Sequence, residues 1–247
     1  MTEYFLASMA PRPFRGMSLV EMMIGITLGL VILASAVIVS TSQLADHRRL
    51  LLEAQVQQDL RVTMDLIVRD LRRAGYWAAS PRTVNPSSSE LADLLANPYK
   101  NIIISGTAGD MSIEYSFSRD DEKPAPSYTE NGTLDQNERT GFRRVSTSGV
   151  GVLQMKLNDT WQALTDPSII NVTRFSVQVV YTESDLPKGS DITNWPPRGP
   201  TGGVLRLCQR TATIEIEAEA VHDTQVRRSV GTDVRLRNNL IREGACS

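Results

Sequence analysis

Polar and apolar positions divide the chain into stretches of different period. Residues 17–39 are almost wholly apolar: no charged side chain falls between Met22 and Val39, and counted from Met17 the run is 23 residues long. A helix rises about 1.5 Å per residue, so the run covers roughly 34 Å, enough for a hydrocarbon core of about 30 Å. Residues 42–74 contain neither Pro nor Gly. Within them Leu52, Val56, Leu60, Met64, Ile67 and Leu71 recur at spacings of three and four, one face of an amphipathic helix. Arg48, Arg49, Asp59, Arg61, Asp65, Arg69 and Arg72 fill the other faces, and Gly75 predicts the stop. The apolar face does not continue as strict heptads, so a coiled-coil stalk fits less well.

Beyond Tyr76 and Trp77 the period changes. Residues 80–89 are rich in Pro and Ser and predict a loop. Short β-type runs follow at 102–105, 111–117, 142–147 and 151–157, with longer ones at 169–182 and 204–221 and a further candidate at 226–236. In the longest, Ile214, Ile216 and Ala218 alternate with Glu215, Glu217 and Glu219, which predicts a strand with one buried and one wet face. Residues 118–140 and 184–203 read as surface loops. Many strands after one helix predict an α+β fold, a long N-terminal helix packed on an antiparallel β-sheet.

The 247 residues suit one sizeable domain with an appendage. A formal charge of -2 implies no basic face for nucleic acid. Cys208 and Cys246 make an even count, able to pair if the C-terminal part lies outside the cytoplasm.

One charge interrupts the apolar stretch. A carboxylate such as Glu21 costs about 2.5–3.5 kcal/mol within a membrane helix, unless it is solvated at headgroup level or finds a partner. Arg12 and Arg15 precede the run and favour a cytoplasmic N-terminus. Arg15-Gly16-Met17-Ser18-Leu19-Val20-Glu21 resembles the type IV prepilin cleavage motif: a basic residue, a Gly, a hydrophobic first mature residue, and Glu fifth in the mature chain. That resemblance implies cleavage after Gly16 by a prepilin peptidase, N-methylation at Met17, and a Glu21 that faces the terminal amine of a neighbouring subunit. A carboxylate paired in this way is tolerable out of water. The rivals are a secretory signal cut after Ala34-Ser35-Ala36 and a plain uncleaved anchor. Against the first, the apolar run is too long and contains Glu21. Gly25 and Gly29, four apart, favour close helix packing inside a filament, although glycine also weakens a helix locally.

Further segments resemble the PilW family of minor pilins: 69–77 its helix end, Trp161–Asp166 with 172–175 its central strand, and 234–238 its ending. The J-type minor pseudopilins of type II secretion share this plan. The resemblance implies a leader (1–16), a transmembrane assembly helix (17–40), its amphipathic continuation (41–75) and a periplasmic β-rich domain (76–247). It implies a protein of the bacterial inner membrane and then the pilus or its tip. Its partners would be other minor pilins, the major pilin and prepilin peptidase, not nucleic acid. Initiating or capping a type IV pilus is the implied role; a secretion pseudopilin and a membrane-anchored adhesin are the alternatives.

No catalytic constellation and no cofactor motif emerge. His47 and His222 have no companions at metal-site spacing. Asn131, Asp135 and Glu138 around Gly132 weakly echo the back half of a calcium loop, but Ser127 and Thr129 are poor ligands at its first positions, so a polar turn fits better. Asn131, Asn158 and Asn171 begin glycosylation-type triplets of little weight. In an oxidising compartment, a Cys208–Cys246 bridge would staple a tail (238–247) with too few apolar residues to hold itself down.

Overall fold

The computed structural model describes residues 16–78, 97–119, 131–186, 198–199 and 201–246. Residues 1–15 of the leader, with Arg12 and Arg15, the loop 80–89, and Ser127 and Thr129 lie outside the described residues, as do parts of 118–140 and 184–203. Helix α1 runs Leu19–Leu71 over 53 residues. The chain forms two compact units, one through Leu50 and one from Leu51 onward. In the first, the helix is exposed on every side.

In the second unit the rest of α1 packs on a nine-stranded sheet. The strands are β1 (Ile102–Thr107), β2 (Asp110–Ser116), β3 (Arg139–Thr147), β4 (Val150–Leu157), β5 (Thr160–Ala163), β6 (Ile170–Asp185), β7 (Leu205–Ala220), β8 (Asp223–Arg235) and β9 (Leu240–Glu243). The sheet order is β5-β4-β3-β2-β6-β7-β8, with β1 on β2 and β9 on β7. Every ladder is antiparallel except β2 with β6, joined by one parallel pair, Asp110 with Phe175. This is an α+β fold.

The helix face read from the sequence is the face that is buried. Val56, Leu60, Met64, Ile67 and Leu71 join Ile113, Phe142 and Leu153 from one part of the sheet and Phe175, Val177, Ile214, Ile216 and Val234 from the other. Leu52 is only partly buried at the rim. Fully burying one such side chain contributes about 1.5–3 kcal/mol, so the face anchors the helix, with the Glu53–Arg228 ion pair beside it.

Four features depart from the sequence reading. Glu219 is not on a wet face: it is 8% exposed, held by Arg227 at 2.8 Å and by the Asn171 amide at 2.9 Å. The stretch 118–140 is not all surface loop, because Ser118, Glu138 and Thr140 are buried and β3 begins at Arg139. Trp161 to Ala163 form the short edge strand β5 rather than a central one, while Val172 and Phe175 lie in β6. The tail is not held by a bridge alone: β9 pairs with Leu205 to Cys208 of β7.

Candidate assembly site

The N-terminal segment enters the helix through an open end. Gly16, Met17 and Ser18 are exposed and non-helical, and the first helical bond runs from the Met22 N–H to the Ser18 carbonyl, 3.1 Å. Glu21 therefore sits in the first turn, where the positive end of the helix dipole favours a carboxylate. Ser18 and Glu21 also have capping-box spacing, a local role that requires no partner subunit. Around Glu21 the side chains are apolar and exposed: Met17 69%, Val20 62%, Met22 59%.

The rest of the run is fitted to an apolar solvent. Its hydroxyls turn back on their own helix, Thr27 Oγ1 donating to the Ile24 carbonyl at 2.9 Å and Ser35 to Ile32 at 2.8 Å, and just past its end Thr41 donates to Ile38 at 2.9 Å and Ser42 to Val39 at 2.9 Å. A hydroxyl left unbonded in hydrocarbon would be costly, and these are satisfied without water. Gly25 and Gly29 have open space where a Cβ would stand, so a second helix can approach there. Among the described residues one helix is long and apolar enough to cross a membrane.

The other end of α1 is locked to the sheet by polar contacts. The helix stops at Leu71, and Gly75 turns the chain with φ +74. Asn238 Nδ2 donates to the Ala74 carbonyl at 3.1 Å, and Asn97 Nδ2 to the Gly75 carbonyl at 3.1 Å. Arg210, 2% exposed, donates to the Lys100 carbonyl at 2.7 Å and the Asn238 carbonyl at 2.8 Å. Burial lowers its pKa from the ordinary arginine value. A Cβ on Gly75 would lie 2.6 Å from Arg210 Nη2, so this cation sits against the carbonyl end of the helix, where positive charge is favoured. One turn back, Asp70 accepts from the Tyr115 hydroxyl at 2.7 Å and the Thr140 hydroxyl at 3.0 Å.

The prokaryotic N-terminal methylation motif matches residues 11–37, and the family described as prepilin peptidase-dependent protein B matches residues 49–236, well over half of the 247. The chain belongs to the prepilin peptidase-dependent protein B family. It is thus a type IV prepilin-like protein, and both matches point to structural, pilin-like proteins and to processing by prepilin peptidase. Comparison with curated proteins and with solved structures yields no match.

In this prepilin-like chain Cys208 and Cys246 form a disulfide, with Cα atoms 5.6 Å apart. Beside it the Glu243 carboxylate accepts from the Gly203 N–H and the Thr201 hydroxyl, each at 2.5 Å, and these bonds hold its pKa below the usual range. The tail is thus held by strand pairing, a carboxylate clasp and a covalent bond. The residues of the weak calcium echo are engaged with protein groups. Asn131 Nδ2 donates to Asp135 at 3.0 Å. Glu138, 1% exposed, accepts from the Tyr99 hydroxyl at 3.0 Å, the Arg119 N–H at 3.0 Å and the Asp135 N–H at 2.9 Å. Its oxygens organise the start of β3, with the 3-10 turn Gln136–Glu138 leading in. His47 and His222 are both exposed.

Arg210 and the Asp70–Tyr115–Thr140 contacts escaped the sequence reading. Arg210, an arginine between Cys208 and Ala212 in a strand-like run, was the available signal, since such a charge must find acceptors if its neighbours are buried.

Proposed function

We propose that this chain is a minor pilin of the PilW kind, which helps to initiate or cap a type IV pilus together with other minor pilins and the major pilin. The reading is carried by one observation: a matched N-terminal methylation motif continues without a break, as a single helix, into a disulfide-bonded β-domain of a prepilin peptidase-dependent family. In this reading the peptidase cuts after Gly16, Met17 becomes the methylated terminus, and Glu21 pairs with the terminal amine of a neighbouring subunit in a setting where an unpaired carboxylate is costly. The β-domain would lie in the periplasm, where its disulfide forms.

Mass spectrometry of the membrane-extracted protein tests the processing. The expected chain begins at Met17 with a methylated amine, and Gly16→Leu leaves the precursor uncut because a bulky side chain would not fit a site built around glycine. A mature chain that begins elsewhere, for instance after Ala36, would sink the prepilin mechanism. Deleting the gene and scoring piliation and protein secretion side by side tests the role. Loss of secretion with intact pili would assign the chain to a type II secretion pseudopilin instead.

A further inference from the structure

The surface beside the end of α1 carries a groove of about 650 Å³. Arg69, Arg72, Arg73 and Arg237 line it, with Asp65 as the acidic group and Tyr76 and Val68 as apolar wall. Among the described lining residues, Arg69, Arg72 and Arg237 bring three guanidiniums to the one carboxylate of Asp65, in a chain whose formal charge is -2. Several arginines elsewhere are matched to carboxylates: Arg144 to Asp110, Arg174 to Glu217, Arg206 to Glu183, Arg227 to Glu219 and Arg228 to Glu53. Among the described residues Arg69, Arg72 and Arg237 have no such partner, and all three are exposed.

Basic side chains at a helix C-terminus are favoured by the dipole alone. That accounts for Arg69, Arg72 and Arg73. It does not account for Arg237, which follows β8 and is brought to the same groove by the Asn238 amide on the Ala74 carbonyl. Arg73 is also held in place, its guanidinium 4.1 Å from the centre of the Phe117 ring. Cations from two distant parts of the chain, one of them immobilised, converge on one concavity.

We infer that this groove binds an acidic peptide segment of a neighbouring subunit. Its size falls within the roughly 300–1,000 Å³ of pockets that take several groups at once, larger than one inorganic anion requires. Guanidiniums bind carboxylates in a two-pronged fashion, and Tyr76 and Val68 add apolar contact that a free anion cannot use. The inference rests on the assembly reading only for the identity of the partner as a neighbouring subunit; the binding chemistry stands apart from it.

The test uses the mature full-length chain in detergent and fluorescence anisotropy with labelled hexaglutamate and hexaglutamine peptides. Hexaglutamate should bind at least about tenfold more tightly, and added salt should weaken it. Arg237→Ala should lower the affinity by about tenfold, while Arg237→Lys retains most of it. Arg237 makes no contact that holds the fold, so thermal unfolding of both variants should match the parent. Equal binding of the two peptides, or indifference to Arg237→Ala, overturns the inference. Displacement of hexaglutamate by inorganic phosphate at comparable concentration also overturns it, since the groove would then be a simple anion site. A chain that binds hexaglutamate in this way but has no part in piliation would defeat the pilus role and leave the groove's chemistry standing.

Discussion

Gly75→Ala should cost far more than the loss of a glycine normally does. Two penalties meet there. The backbone has φ +74, and a side chain in the left-handed region costs about 1–2 kcal/mol. The new Cβ would also lie 2.6 Å from Arg210 Nη2, so the guanidinium must move. That group is held by the Lys100 carbonyl at 2.7 Å and the Asn238 carbonyl at 2.8 Å, and losing one hydrogen bond from a charged group costs about 1.5–3 kcal/mol. The sum is roughly 2.5–5 kcal/mol. Gly149 supplies the control. It has φ +84 in the β3–β4 turn but nothing within 4 Å of its Cβ position, so Gly149→Ala should lose only about 1–2 kcal/mol. In a domain of this size each kcal/mol shifts Tm by about 2–4 °C. Thermal unfolding of the mature chain in detergent, followed by near-ultraviolet circular dichroism, should therefore separate the variants by roughly 3–12 °C. Removing the obstacle first, with Arg210→Leu as background, should shrink the Gly75→Ala cost to that of Gly149→Ala. If Gly75→Ala and Gly149→Ala melt together in the parent background, Arg210 does not guard the helix end as argued.

Other expectations follow from the same contacts. Glu21→Ala leaves a more apolar helix that still inserts and is still cleaved, but it should enter the filament or its tip complex poorly; normal co-purification with other minor pilins would count against the pairing. Cys246→Ser opens a bridge of sequence separation 38, worth about 4 kcal/mol on the chain-entropy argument, with less lost because β9 pairing and the Glu243 clasp remain. Peptide mapping without reductant should find Cys208 and Cys246 joined in the parent, and two alkylatable thiols there would refute the staple. Tyr115 has its pKa raised well above the ordinary value near 10, by burial first and by Asp70 second. Its contribution is whole below pH 10 and is lost as pH climbs from there toward the folded value, because only the unfolded chain gives up the proton readily. Tyr115→Phe should flatten that alkaline decline relative to the parent, and an unchanged slope would show the hydroxyl to be solvated.

What was legible in the sequence was what repeats locally. Leu60, Met64, Ile67 and Leu71 announce a buried helix face by spacing alone, and Ile214, Ile216 and Ala218 announce a strand by alternation. β5 did not stand out among the β-type runs because four residues carry too little period, and the resemblance alone placed it, as a central strand rather than an edge. Its signal was the Asn158–Asp159 pair, which turns the β4–β5 hairpin with φ 49 and 62, a turn that Asn and Asp favour. β9 was missed because Leu240 and Ile241 become a strand only beside the end of β7. Glu219 and Arg210 break their local patterns for the same reason: their partners, Asn171 and Lys100, are distant in sequence. At the N-terminal site the order was reversed. Gly16, Met17 and Glu21 form a motif of contiguous residues, so the sequence shows it more sharply than an exposed helix end does.

The division between matched and unmatched polar groups separates folding from assembly in this chain. Hydroxyls within the apolar run close on their own carbonyls, Glu138 and Asp70 are enclosed by donors, and Arg210 is held by two backbone oxygens. Such groups stabilise one subunit and ask nothing of another. Glu21, ringed by exposed Met17, Val20 and Met22, and Arg69, Arg72 and Arg237 beside the helix end lack that closure among the described residues. An exposed charge alone is ordinary. A carboxylate set in an apolar surface and a cluster of like charges in a concavity are not, because each costs free energy until an opposite charge arrives. In the assembly proposed above, that charge would come from the next subunit. The two positions should therefore fail differently: Glu21→Ala at insertion of the helix among its neighbours, Arg237→Ala at capture of an acidic segment by a subunit that is otherwise intact. Genetic suppression by charge reversal on the partner should be obtainable for Arg237→Glu. It should not be obtainable for Glu21, whose proposed partner is a backbone terminus that no mutation can recharge.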